Sequence, residues 1–159
     1  MTDSQTFIQQ TDLFKAQHGY FIEDLEIGMS AFYARTVTEA DIVLFAGITG
    51  DLNPVHLNHD FAAQTQFGGT IAHGMLTASL ISTVVGTKLP GPGAIYMSQN
   101  PRFTAPVRAG DTITAVATVT DVNVEKRRCA LDTICLRGDE LVVKGDALLL
   151  VPTRKAFEG

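Results

Sequence analysis

The chain has 159 residues, with twelve Lys and Arg against seventeen Asp and Glu for a formal charge of -5. That length suits one domain, burying ~70% of the unfolded chain's surface, and a composition 45% hydrophobic and 18% charged excludes a disordered chain. The acidic pI near 5.2 excludes a basic nucleic-acid surface, and no fixed period suggests a repeat array.

Residues 1–18 are polar and weakly patterned, so they read as a flexible arm with Phe7, Leu13 and Phe14 available to pin it. Met1 to Gln5 lacks the basic start and apolar run of a secretory signal, which sets the expectation of a cytoplasmic protein. A body follows over 19–152, and a short tail over 153–159. Within the body, Ala31–Val37 reads as a strand. Thr38 with Asp41 three residues on reads as a helix N-cap, and Ile42 to Ala46 continue a short helix ending near Gly47–Gly50. Asp51 to Asn58 reads as a loop, because Pro54 forces Asn53 out of helical geometry. A second short helix is expected over about Asp60–Thr65, before Gly68 and Gly69.

From Gly74 to about Thr87 the residues Met75, Leu76, Ala78, Leu80, Ile81, Val84 and Val85 leave no wide polar face. Such a helix is buried on most sides. It is too short and too interrupted upstream for a membrane span. Four strands are then expected at about 94–104, 111–124, 127–137 and 140–151. The apolar phase shifts near Asp121, which marks a β-bulge, whereas Leu141 to Val151 keep a cleaner alternation. No run of charges or prolines obviously blocks an edge along Ile113–Val124 or Leu141–Val151, so an open sheet edge is expected there, to be closed by a second copy. Cys129 and Cys135 share one strand ~20 Å apart, beyond disulfide reach, and no Cys/His cluster suggests zinc. Helices in the first half and an antiparallel sheet in the second make an α+β domain, one helix enclosed by a curved sheet.

Two segments carry candidate chemistry. Gly50-Asp51-Leu52-Asn53-Pro54-Val55-His56 places a carboxylate and an imidazole five residues apart on one proline-stiffened stretch. Proton transfer near neutral pH needs such groups on a rigid support. Each residue has a plain structural role open to it as well: Asp51 closes a turn, Asn53 makes an Asx-turn, His56 is a satisfied loop histidine. In Ile71-Ala72-His73-Gly74-Met75-Leu76, a glycine opens the buried helix and leaves free N–H groups at its positive end. That arrangement suits a carbonyl oxygen gaining charge; the alternative is that Gly74 permits tight packing while His73 caps or packs.

Taken together, F-A-x-x-T-G-D-x-N-P-x-H over Phe45 to His56 and F-G-x-x-I-A-H-G-M-L-x-A-S-L over Phe67 to Leu80 closely resemble the MaoC-like, R-specific enoyl-CoA hydratase family. Pro90-Gly91-Pro92-Gly93, Phe103, Pro106-Val107 and Gly110-Asp111 extend the resemblance, which spans about Gly19 to Pro152. It implies a hotdog fold, usually dimeric. It also implies reversible hydration of a trans-2-enoyl-CoA to the (R)-3-hydroxyacyl-CoA, a hydro-lyase reaction without metal or redox cofactor. The family's catalytic Asp and His fall on Asp51 and His56, and its carbonyl-binding amide on Gly74. Ser82 matches a polar pocket residue, and Asn53 fits as an orienting group from its place in the loop. The implied partners are an acyl-CoA thioester and a second copy of the chain, with no nucleic acid and no membrane.

Two other activities share these residues. A hotdog acyl-CoA thioesterase would bind the same ligand and hydrolyse it, and a non-catalytic acyl-thioester-binding module would only hold it. Lys126-Arg127-Arg128, Lys88, Arg102 and Arg108 are the cations available to the CoA phosphates; a solvated hairpin turn explains the three-residue cluster without a ligand.

Overall fold

A computed structural model describes residues 10–157. One antiparallel sheet of five strands organises it: β1 (Ser30–Thr36), β2 (Ile95–Phe103), β3 (Thr112–Asn123), β4 (Arg128–Arg137) and β5 (Glu140–Leu150), in the order β1-β3-β4-β5-β2. The strand alternation buries one face: Ile113, Ala115, Ala117 and Val119 of β3 and Leu131 and Cys135 of β4 are essentially inaccessible. This order overturns the expected edges. β3 and β5 lie inside the sheet, and the two free edges belong to β1 and β2.

The register shifts between Val119 and Asp121, at the bulge anticipated from the apolar phase. A second shift, between Cys135 and Leu136, was hidden by the run Leu141-Val142-Val143. There the cleaner alternation expected of this segment fails: Val142 and Val143 are both buried. A bulge adds one unpaired residue and turns consecutive side chains toward the same region.

The first half supplies α1 (Gln10–Gln17), α2 (Glu39–Thr49), α3 (Pro54–Leu57), α4 (His59–Ala63) and α5 (Gly74–Thr87). Helix α5 packs on β1, β3 and β4, its Leu80, Ile81, Val84 and Val85 joining the core. Each such side chain contributes about 1.5–3 kcal/mol on burial. One stripe of α5 stays exposed, comprising Met75, Ser79, Ser82 and Gly86. A sheet enclosing one long helix is the hotdog fold.

Helix α2 begins with a reciprocal cap. The Thr38 hydroxyl accepts from the Asp41 N–H at 3.2 Å, and the Asp41 carboxylate accepts from the Thr38 N–H at 2.9 Å. These bonds to Thr38 hold the Asp41 carboxyl below its usual value. The helix ends at Gly50, whose φ of 76° is left-handed and whose N–H returns to the Ala46 carbonyl at 2.9 Å. The arm is partly helical in α1. Phe7 lies outside the described residues, while Leu13 and Phe14 are nearly half exposed. The following backbone is held by Gly19 N–H to the Pro92 carbonyl and Tyr20 N–H to the Pro90 carbonyl, both 2.8 Å. Among the described residues, no helix is long and apolar enough to cross a membrane.

Candidate active site

Between α2 and α5 the chain leaves the sheet, over residues 51–73, and returns to the start of α5. Asp51 to Asn58 is not all loop. Pro54 stands at the first position of α3, where its missing N–H costs nothing, and the Asn53 side chain caps that turn by accepting from the Val55 N–H at 3.2 Å. Asn53 thus takes the Asx-turn role left open for it. The Asn53 N–H in turn donates to Asp51 Oδ1 at 3.2 Å, which fixes one oxygen of the carboxylate.

The short α3 turn brings His56 back over the chain before α5. Its Nδ1 lies 2.8 Å from the Ile71 carbonyl. A carbonyl only accepts, so Nδ1 carries the proton and Nε2 of the neutral ring is an acceptor. The Ile71 N–H donates to the Val55 carbonyl at 3.3 Å, closing a two-sided clasp between residues 55–56 and 71. The Ala72 N–H donates to the Val107 carbonyl at 2.7 Å. Arg108 donates to the carbonyls of Thr70, at 2.9 Å, and Phe67. Its guanidinium therefore anchors this excursion. Lys88 similarly donates to the Phe32 carbonyl at 2.7 Å.

Asp51, His56, His73 and Gly74 line one cleft of about 470 Å³. Its other walls include Phe67, Phe103 and the bulged pair Val142 and Val143, so the polar groups face a largely apolar space. Gly74 is the first residue of α5. Its N–H therefore has no partner within the helix and sits at the positive end of the helix dipole. A Cβ at Gly74 would lie 2.9 Å from Phe103 Cε1, so the ring closes over the glycine where any side chain would stand.

His73, only 2% exposed, joins this group. Its Nε2 is 2.9 Å from the Asp51 backbone carbonyl, and its ring lies 3.8 Å, centroid to centroid, from that of His56. A nitrogen of each imidazole and an Asp51 carboxylate oxygen lie within 4.8 Å of one another, a spacing that a cation could bridge. The carbonyl contact, however, requires a proton on His73 Nε2, which removes that nitrogen as a ligand atom. A hydrogen bond joins His73 to Asp51, and His56 meets them through its ring contact with His73.

The model of the MaoC like domain matches residues 26–134. The chain belongs to the MaoC-like family. This MaoC-like chain is 50% identical over 135 residues to an (R)-specific enoyl-CoA hydratase of Rhodospirillum rubrum, covering 85% of this chain and 94% of that one. It is 49% identical to a 3-hydroxybutyryl-CoA dehydratase of Methylorubrum extorquens, covering 85% and 86%. Among solved structures it is similar to the unliganded R-hydratase PhaJ1 from Pseudomonas aeruginosa, with a TM-score of 0.80, 41% identity, and 86% and 88% of the two chains covered.

Of the residues singled out in this MaoC-like sequence, Asp51, His56 and Gly74 meet at the cleft, with Asn53 two residues from Asp51 as a cap. Ser82 does not meet them in a single chain. It lies eight residues along α5 from Gly74, ~12 Å of helix, on the exposed stripe. Sequence reasoning did not single out Phe103, Val142 or Val143 as cleft walls. In sequence His73 reads as a capping or packing residue, and its place directly before the helix-opening glycine is the available signal. His73 makes no side-chain cap.

Proposed function

We propose that this protein is an (R)-specific enoyl-CoA hydratase, adding water reversibly to a trans-2-enoyl-CoA. The observation that carries this reading is the meeting of Asp51, His56 and the Gly74 N–H in one apolar cleft. The relatives named above, at 50% and 49% identity, support it.

In this reading the thioester carbonyl accepts from the Gly74 N–H. The helix dipole polarises it, so Cβ becomes electrophilic and the enolate charge is stabilised as it forms. The Asp51 carboxylate and His56 Nε2 hold one water. Its oxygen bonds to Cβ, its proton passes to the pair, and the pair delivers a proton to Cα as the enolate collapses. Their shared placement on one excursion directs both additions to one face. The apolar walls at Phe103, Val142 and Val143 keep further water from the thioester.

The functional unit in this proposal is a homodimer. Edge strand β2 exposes Ile95, Tyr96 and Met97, and α2 exposes Val43, Leu44 and Ile48. Large exposed apolar groups beside an unpaired strand edge favour pairing with a second copy. Pro101 interrupts donors only in the second half of β2. Ser82 enters as a substrate contact through this assembly, since the exposed stripe of α5 faces outward from one chain. Two free, buried thiols, Cys129 and Cys135, accord with a cytoplasmic setting.

The test is incubation with crotonyl-CoA and chiral chromatography of the product. The expected result is loss of enoyl absorbance, an intact thioester and the R-hydroxyacyl product. Free CoA thiol would indicate thioester hydrolysis; the S product would refute the assigned face; binding without turnover would leave only an acyl-thioester-holding module.

A further inference from the structure

We propose that His73 is a positioning residue that fixes Asp51 relative to His56 and Gly74. The proposal rests on the hydratase reading above and goes beyond it in naming what aligns the pair.

Residues Asp51, Leu52 and Asn53 are all exposed, and their other hydrogen bonds are local. Asp51 N–H donates to Thr49 Oγ1, Asn53 N–H to Asp51 Oδ1, and Leu52 N–H to the Gly50 carbonyl. Among the described residues, the bond from His73 Nε2 to the Asp51 carbonyl, at 2.9 Å, is the one that ties residues 51–53 to a distant segment. It comes from the residue immediately before Gly74. One short span of backbone thus sets the proposed carbonyl-binding N–H and holds the carboxylate-bearing residue. The same ring packs on His56 at 3.8 Å, tilted 31°, and on Phe45 at 5.1 Å.

Simple packing does not account for a histidine here. The position is the N-cap of α5, where Ser, Thr, Asp and Asn are favoured, yet the imidazole makes no cap bond. Its Nδ1 is buried without a hydrogen-bond partner. Burying an unpaired polar atom costs free energy that an apolar side chain of similar size would avoid. What the imidazole supplies that leucine or phenylalanine cannot is the Nε2–H directed at Asp51. Alignment of reacting groups is worth this cost, because a displacement near 1 Å lowers turnover by about 10²-fold.

The experiment compares His73→Leu, which fills space without a donor, with His73→Gln, whose amide N–H reaches about as far as Nε2–H. With crotonyl-CoA, His73→Leu should lose about 10²-fold in kcat with KM little changed, as expected when alignment is lost and binding is not. His73→Gln should recover most of that loss. In an Asp51→Asn background the Leu substitution should cost only a few-fold further, because the group it positions is already disabled. Equal losses for Gln and Leu, a loss confined to KM, or a folded Leu variant with near wild-type kcat would each overturn the proposal. Should His73→Leu fail to fold, long-range ¹H–¹⁵N spectra of the wild-type imidazoles decide: His73 must be the Nε2–H tautomer, and the Nδ1–H form overturns the proposal. A wild-type protein without hydration activity would count against the hydratase reading; an active wild type with indifferent His73 variants counts against His73 alone.

Discussion

The contact between Gly74 and Phe103 governs how the proposed carbonyl-binding amide can be probed. Gly74→Pro removes the N–H at a helix position that tolerates proline. The preceding residue already has the extended backbone proline demands, with His73 at φ −58° and ψ 133°. Alanine is the natural control because it keeps the N–H, yet its Cβ would stand 2.9 Å from Phe103 Cε1, about 0.5 Å inside ordinary contact. Phe103 is 50% exposed, so its ring can swing aside, at about 0.5–1.5 kcal/mol for an off-rotamer side chain. It then intrudes on the cleft it lines. Gly74→Ala should therefore raise KM severalfold while leaving kcat close to wild type. Trimming the ring with Phe103→Leu should relieve that effect. In the Phe103→Leu background, Gly74→Pro should still lie about 10²–10³ below Gly74→Ala in kcat, or about 3–4 kcal/mol, the usual cost of one lost oxyanion donor. The assay is enoyl-CoA disappearance, with thermal melting on every variant. If folded Gly74→Pro stays within about threefold of Gly74→Ala in that background, the amide is not the donor.

Asp51→Asn and His56→Asn should each abolish most turnover without unfolding the protein, and the double variant should lose far less than the sum of the two free-energy losses; additive losses in a kinetic cycle would mean independent roles. Light scattering should give a dimer for the wild type and a smaller species for Ile95→Glu at the β2 edge, and a fully active wild-type monomer at micromolar concentration would contradict the assembly. Burial pushes the Cys129 thiol up to about 11 and the Cys135 thiol up to about 12, from 9.0. The unfolded chain loses these protons first, so stability is unaffected well below pH 9.0 and falls as pH rises from there toward 11–12. Urea midpoints at pH 8 and pH 10 check the sign, and a variant with both thiols replaced by alanine should show a smaller drop between them.

Legibility followed the range of the interactions involved. Helix α5 could be read to its ends because its apolar run is bounded by Gly74 and by the Lys88-to-Gly93 stretch. The cap at Thr38 and Asp41 could be read because both partners lie within one turn. The α3 turn could not, because four residues carry no period and Pro54 signals a break as readily as a start. The strand order, and hence which edges are free, depends on pairings between residues far apart in sequence. The bulge at Asp121 showed itself through a change of apolar phase; the one at Val142 did not, since Val142 and Val143 are equally apolar. Asp51, His56 and Gly74 stood out through motif resemblance. The link from His73 to Asp51 spans 22 residues and depends on which nitrogen carries the proton, a property no spacing encodes.

The clasp at Ile71 has a consequence for how the protein ages and fails. Residues 55–56 and 71 are held to each other by a pair of hydrogen bonds, while the excursion they close is attached to the sheet side through Val107 and Arg108. Opening that attachment releases a small cooperative unit and exposes little of the core built by α5 and β3–β5, so it lies at lower free energy than global unfolding. Limited proteolysis of the folded protein should therefore cut within residues 51–73 before it cuts α5 or β3–β5.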